Sequence, residues 1–585
     1  MVSIFQKKLF SGIVAVALPT LVLLSGLYEL FPVPGWVDPM IYVGYFLDPA
    51  EQVWRYGPLY YSGRVPYIFI GHAIHSVFSP VFAHYAMMHF FNGLALGAVF
   101  LAAYRLYGRN VAIFSTWWLG LNPLWVNAIS TGYVDGPAMA FGLVAFAFAV
   151  YGATQARLAS AIASYVAAGF FVSLATIIHP VPGGLAALAV LATTITLKGA
   201  RSAIRDTVYV TLGGVIGVAI CTIYALQLGA PTVFSFFSQG PMAGLSTHNV
   251  SLFAVPFSEW VPGSYWAIAP LLLLCLAALA IRKTGKKAKP IVIVGALCLA
   301  TTFTFLLLWD TIIGGVTLQE HFYVSYLIYG EAILVVSILG SLQQSLSVGG
   351  QKEVGLFLVV AAASVAPLIC LYLLSGSNNY LDFPILWFGL AALGGGTLYL
   401  FQTQRQAAAI SGVMALTIVS GILNTGTKTN FADSNHPSYK LVFEEVVAIR
   451  QSVDLTYLHG RNVFFWGNRR LGLTAKDPEK RERLAYTMSY AGKQTRFNAM
   501  DSLAALWVWD RGALSFDMPT LQKEDVERLK RSVNVGSLVI VCLRPQDCDL
   551  GVDALKRAEL TTTMRASSLI WIPGLEPVRV LVLDF

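Results

Sequence analysis

The stretch Trp36–Val37–Asp38–Pro39–Met40–Ile41–Tyr42–Val43–Gly44–Tyr45–Phe46–Leu47–Asp48–Pro49–Ala50–Glu51 follows an apolar run at 9–31. It continues into Trp54–Arg55–Tyr56–Gly57–Pro58–Leu59–Tyr60–Tyr61–Ser62–Gly63–Arg64–Val65–Pro66–Tyr67. Three acids, two arginines and six tyrosines thus lie close together between hydrophobic segments. Asp38–Pro39 and Asp48–Pro49 each read as a helix N-cap followed by Pro at the first helical position, where its missing N–H costs nothing. Tyr and Trp suit a membrane–water boundary because each has an apolar body and a polar tip. Residues 65–79 are apolar but short and interrupted, which predicts an interfacial helix. The whole stretch, 32–79, is therefore predicted to be a polar loop lying on a membrane surface.

The rest of the chain agrees. Of its 585 residues 56% are hydrophobic and 12% charged, about half the charge of a soluble globular chain. A helix needs about 20 apolar residues to cross a bilayer. Runs of that kind lie at 9–31, 80–104, 111–130, 134–154, 159–178, 180–197, 207–228, 265–281, 290–309, 321–341, 354–375, 382–402 and 407–423. The expected fold is an α-helical polytopic membrane protein of about 13 transmembrane helices over 1–425, with a small α/β domain over 426–585.

Loop charge sets the orientation. One set of connectors carries fifteen basic residues, among them Lys7, Lys8, Arg105, Lys198, Arg201, Arg205 and the Arg282–Lys289 run, whereas the alternate set carries only Arg55 and Arg64. The positive-inside rule puts the first set, and the N-terminus, in the cytoplasm. Thirteen spans then put the C-terminal domain outside the inner membrane. That tail has 22 Lys+Arg against 19 Asp+Glu over 424–585. The net charge of +8 is thus a topology signal, and nucleic acid is not an expected partner. In the tail, Asn462–Trp466, Ser537–Leu543, Ser568–Pro573 and Pro577–Asp584 read as strands, and Tyr439–Val453 and Leu521–Arg531 as helices. Cys542 and Cys548 are spaced to close a short disulfide loop in an oxidising compartment.

Other polar residues stand out against this apolar background. Asp135, in Gly132–Tyr133–Val134–Asp135–Gly136–Pro137, opens the fourth run and reads either as a cap or as a functional acid. His179 sits at the boundary before Pro180, and Glu331 lies inside a run, where an ionisable group is costly. His72 and His75 share a helix face, but nothing near them completes a metal ligand set. The long loop Gly229–Gly263 has the length of a lid.

An acid just after the first span, a Tyr four residues later and then a tyrosine-rich amphipathic loop resemble the GT-C glycosyltransferases, with protein O-mannosyltransferases and aminoarabinose transferases as the nearest relatives. Asp38 and Tyr42 match the family's acid-plus-Tyr signature, which is usually Asp-Glu; here Pro39 stands in place of the second acid. Tyr60–Tyr61–Ser62–Gly63–Arg64–Val65–Pro66 is similar to the segment that follows in the family. Asp135 and Gln319–Glu320–His321–Phe322–Tyr323 fit its later acid and polar-aromatic segment. The resemblance covers about 1–425 and implies transfer of a sugar from a polyprenyl-phosphate donor to a lipid, glycan or protein acceptor on the outer face. It implies Asp38 and Asp135 as catalytic acids. It implies Tyr42, Asp48, Arg55, Tyr60, Tyr61, Arg64, His321 and Tyr323 as the substrate-binding set. No cofactor is expected, although the outside acids could hold a divalent ion as in one branch of the class. A transporter or flippase of lipid-linked glycans is the alternative, for which charged or broken helices near the midplane would be expected.

Overall fold

The computed structural model describes residues 11–21, 38–47, 49–50, 53, 61–78, 80–130, 132–229, 268–284, 289–309, 311 and 321–346, and, in the tail, 462–466, 514–515, 537–542, 547–557, 563–571 and 577–584. In chain order the helices are α1 (Asp38–Leu47), α2 (Val65–His75), α3 (Pro80–Tyr107), α4 (Arg109–Gly120), α5 (Pro123–Ser130), α6 (Asp135–Thr154), α7 (Leu158–Ile178), α8 (Pro180–Lys198), α9 (Ala200–Gln227), α10 (Ile268–Thr284), α11 (Lys289–Leu308), α12 (His321–Val324), α13 (Leu327–Leu346) and α14 (Asp547–Arg557). The strands are β1 (Asn462–Trp466), β2 (Leu514–Ser515), β3 (Ser537–Cys542), β4 (Thr563–Ile570) and β5 (Val578–Asp584). The chain divides into two compact units: 1–30, 88–223 and 253–429 form one, and 31–87, 224–252 and 430–585 the other.

In the first unit, α6, α7 and α8 pack on one another, α8 packs on α11, and α13 packs on α11, α10 and α4. Among the described residues six helices are long and apolar enough to cross a membrane, and three shorter ones, Ser11–Leu21, Ala269–Ala278 and Leu327–Gln343, are also apolar. This is an integral membrane protein. The bounds of α6, α7 and α8 fall within a residue of the predicted runs. The expected spans at 354–375, 382–402 and 407–423 lie outside the described residues, as do the 229–263 loop beyond Gly229 and the tail helices expected at Tyr439–Val453 and Leu521–Arg531.

Two predicted spans are broken. The run at 111–130 is two helices, α4 and α5, because the Asn122 side chain caps α5: its Oδ1 accepts from the N–H groups of Leu124 at 3.0 Å and Trp125 at 3.4 Å. Pro123 follows at the first helical position. The run at 321–341 is likewise the short α12, a turn at Ser325–Tyr326 and then α13.

Small residues set the closest approaches. A Cβ on Gly169 would lie 1.8 Å from the Val210 carbonyl oxygen, one on Gly213 would lie 1.9 Å from that of Val166, and one on Gly217 would lie 2.0 Å from Ser173 Oγ. These three glycines bring the backbones of α7 and α9 together, as small residues do where lipid offers no hydrophobic drive for helix pairing. The other side of α9 presents Ile204, Val208, Leu212, Val215 and Ile220, all exposed. At the Lys198 end of the same helices, Asp206 is buried and takes Lys198 Nζ at 3.1 Å and Arg205 Nη2 at 3.1 Å. Lys198 also stands 5.0 Å over the Tyr165 ring.

In the second unit, α1 and α2 pack together, and the tail strands form one five-stranded sheet in the order β2-β1-β3-β5-β4. β1 pairs in parallel with β2 and β3, while β5 pairs antiparallel with β3 and β4. Val580, Leu581, Val582 and Leu583 of β5 are buried. The edge strand β4 begins at Thr563 rather than at the predicted Ser568, and the segment 547–557, which carried no prediction, is helical and packs on β3. Cys548 is disulfide-bonded.

Candidate active site

Three side chains meet where α6, α8 and α13 begin. α5 ends at Ser130, and Gly132 at φ +74 turns the chain back in a left-handed conformation that a side chain would disfavour. α6 then starts at Asp135, directly after Val134, whose side chain supplies no cap. The Asp135 carboxylate receives the hydroxyl of Tyr326, at Oδ1. Both residues are buried. Tyr326 is held at the turn before α13 by backbone bonds from its N–H to the Tyr323 carbonyl at 3.1 Å and from the Tyr329 N–H to its own carbonyl at 3.2 Å. The Tyr329 hydroxyl donates to the Gly142 carbonyl at 2.9 Å, so that α13 is tied to α6 at two points.

His179 is the third member. It caps α8, with Nδ1 accepting the Val181 N–H at 3.3 Å, and its ring lies against Tyr326 with Nε2 3.3 Å from the hydroxyl oxygen. Tyr323 packs edge-on against Tyr326 at 5.9 Å. α6 and α8 run from this cluster to the opposite, basic end, where Arg105 donates to the Thr154 carbonyl at 2.6 Å and Lys198 meets Asp206. A buried acid and phenol with a half-buried imidazole, at the end of apolar helices, can orient a hydroxyl and take up its proton.

A second cluster comes from the first loop. The Tyr42 ring meets Tyr61 at 5.6 Å and Tyr67 at 5.2 Å, and the Arg64 guanidinium lies 5.6 Å from its centre. Arg64 is only 3% exposed. Its carbonyl accepts the N–H groups of Tyr67 and Ile68, and so starts α2. The α1–α2 contact leaves no room for a side chain at Gly71, where a Cβ would fall 2.1 Å from the Phe46 ring. His72 Nδ1–H donates to the Phe46 carbonyl at 2.8 Å, and His75 Nδ1–H to that of Gly71 at 2.8 Å. Burial pushes the His75 imidazole down from 6.5 to about 4, the Gly71 bond partly offsets this, and the neighbouring His72 adds to it.

Of the predicted residues, Tyr42, Tyr61 and Arg64 are therefore in one cluster, and Asp38 opens α1 one turn before Tyr42. Asp135 and Tyr323 are brought together through Tyr326. His321 opens α12, which packs on α5. Asp48, Arg55 and Tyr60 lie outside the described residues. Tyr326 carried no prediction. Its signal was the spacing of Tyr323, Tyr326 and Tyr329, three hydroxyls at helical intervals in an apolar run. Among the described residues no group of three or more His, Cys, Asp or Glu is placed to hold a metal ion.

No family model and no curated protein matches the chain. Solved structures do. ArnT from Cupriavidus metallidurans bound to undecaprenyl phosphate aligns with 97% of this chain and 97% of its own length, at 14% identity and a TM-score of 0.50. This chain shares its fold with that ArnT. The apo state of the same ArnT gives a TM-score of 0.48 at the same identity and coverage. The archaeal oligosaccharyltransferase AglB from Archaeoglobus fulgidus, in complex with an inhibitory peptide and a dolichol-phosphate, aligns over 98% of this chain and 74% of its own, at 11% identity and a TM-score of 0.39.

Proposed function

We propose that the protein transfers a sugar from a polyprenyl-phosphate donor to an acceptor hydroxyl at the extracytoplasmic face of the inner membrane. The observation that carries this reading is the end-to-end likeness in fold to a transferase solved with undecaprenyl phosphate bound. The distribution of polar groups supports it. The Asp135 cluster lies at the helix ends opposite Lys198 and Arg205, and the positive-inside rule assigns those basic ends to the cytoplasm.

In the reaction the acceptor oxygen bonds to the anomeric carbon while the bond from that carbon to the phosphate oxygen breaks. The leaving phosphate keeps the electron pair. The acceptor proton passes to a carboxylate within hydrogen-bond reach. Asp38 is the proposed base, with Asp135 as the second acid. Charge building on the phosphate needs donors aimed at it, for which Arg64, Arg55, His321 and the hydroxyls of Tyr42, Tyr60, Tyr61 and Tyr323 are proposed, with Asp48 contacting the sugar. Arg suits phosphate because its planar fork gives two parallel bonds. The proposed acceptor is a lipid, glycan or protein hydroxyl, and no resident metal is used. The proposed topology has thirteen spans over 1–425 and places the α/β domain of 426–585 outside.

The test uses the purified protein in nanodiscs with radiolabelled polyprenyl-phosphate sugars, comparing wild type with Asp38→Asn. Sugar transfer or release by wild type that is lost in the variant supports both the reaction and the base. Equal turnover removes Asp38 from the mechanism. Movement of intact donor between the leaflets of proteoliposomes, without sugar release, would replace the transferase reading by a flippase.

A further inference from the structure

The three-residue cluster has a direction. The Tyr326 hydroxyl has one proton and gives it to Asp135 Oδ1. Its contact with His179 can then only be one in which the phenol oxygen accepts. His179 Nδ1 already accepts the Val181 N–H, so it carries no proton. The donor is therefore Nε2–H, the nearer ring nitrogen, 3.3 Å from the phenol oxygen against 3.5 Å for Nδ1. The start of α8 thus sets the tautomer of a histidine whose other nitrogen points along the chain to the acid that opens α6.

We propose that Tyr326 and His179 are positioning residues for Asp135, in the order His179 Nε2–H to Tyr326 Oη and Tyr326 Oη–H to Asp135 Oδ1. The catalytic half of this inference rests on the transferase reading above. Each member comes from a different helix start, so the chain fixes the Asp135 rotamer against α8 and α13 together. An acceptor hydroxyl that reaches Asp135, the second acid, meets a carboxylate already oriented. The energetic logic is that of outer partners which orient a reacting group and whose loss typically costs about 10–100-fold.

Two measurements test it. The first needs no turnover. Solid-state NMR of 15N-histidine-labelled protein in proteoliposomes, with the His179 signals identified by their loss in His179→Gln, should show a neutral ring protonated at Nε2. The Nε2–H resonance should move upfield in Tyr326→Phe, which keeps the aromatic ring and removes the hydroxyl. A ring protonated at Nδ1, or a resonance unchanged in Tyr326→Phe, overturns the chain.

The second is steady-state kinetics in nanodiscs with a polyprenyl-phosphate sugar. Tyr326→Phe should lower kcat about 10–100-fold with the donor KM within about twofold. His179→Gln, which keeps an N–H donor at similar reach, should retain more activity than His179→Ala. Tyr326→Phe combined with Asp135→Asn should be no worse than Asp135→Asn alone, since one residue acts through the other. Losses that multiply, or a change confined to KM, would refute the positioning role. Absence of turnover in wild type would sink the transferase reading and the catalytic half with it, while the NMR result would still decide the hydrogen-bond chain.

Discussion

Replacing Gly136 by Ala tests whether the position of Asp135 depends on the contact between α5 and α6. A Cβ at Gly136 would lie 2.4 Å from the Ala128 carbonyl oxygen, 2.7 Å from its carbon and 2.9 Å from Ile129 Cα. All three are backbone atoms, so no side chain can rotate away. Real Cβ contacts stop at about 3.0 Å, and the two helices must therefore separate by about 0.6 Å. Overpacking of this kind costs about 1–3 kcal/mol. Misplacing a reacting group by 1 Å can cost about 100-fold, so a shift of about 0.6 Å next to Asp135 should cost about tenfold in turnover. The assay pairs thermal unfolding in detergent with sugar transfer in nanodiscs. Gly184→Ala is the control, because nothing lies within 4 Å of a Cβ there, and it should retain both stability and turnover. A Gly136→Ala protein that melts and turns over like wild type would refute the argument.

Asn122→Ala removes the cap of α5 and should cost about 1 kcal/mol, read as a lower melting temperature. Trp125→Phe deletes the indole N–H that meets Asn92 Oδ1 at 2.9 Å and should cost about 1–3 kcal/mol, because the amide oxygen stays buried without that donor. Burial lowers the His75 pKa to about 4, so the folded state favours the neutral ring: its stability contribution is complete above about pH 6.5 and falls as pH drops toward 4. His75→Gln should flatten that limb of the stability profile, measured by melting temperature from pH 7 to pH 4. Removing divalent ions with EDTA should leave sugar transfer unchanged, and a loss restored by Mg2+ or Mn2+ would overturn the metal-free mechanism.

Much of the helical architecture was legible because a bilayer imposes one strong rule, a long apolar run between polar connectors. The joint at His179–Pro180 was readable for the same reason, since Pro cannot continue α7 and starts α8 well. The breaks at Asn122 and Ser325–Tyr326 were not, because hydropathy runs through them without interruption. There the backbone is redirected by one amide side chain in the first case and by local turn bonds in the second. In the tail, seven of the eight residues of β4 are exposed, so hydrophobic patterning drew the prediction toward Ile570 and beyond. At the site, Asp135 was visible as an acid out of place, but the hydroxyl it meets belongs to a residue 191 positions away. Tyr326 was hidden among ordinary tyrosines, since only tertiary packing distinguishes it from Tyr323 and Tyr329.

The glycine strip between α7 and α9 divides α9 into two sides under unequal steric constraint. On the side that faces Ile204, Val208 and Val215 outward, one branched aliphatic residue can replace another with little consequence. On the other, Gly213 and Gly217 admit no added carbon, and neither does Gly169 of the facing α7. A library randomised along this helix should therefore sort into a permissive stripe and an invariant one, offset by a fraction of a turn. Adhesion of the helix would be encoded in the absence of side chains, so a single methyl group is enough to peel it from its neighbour.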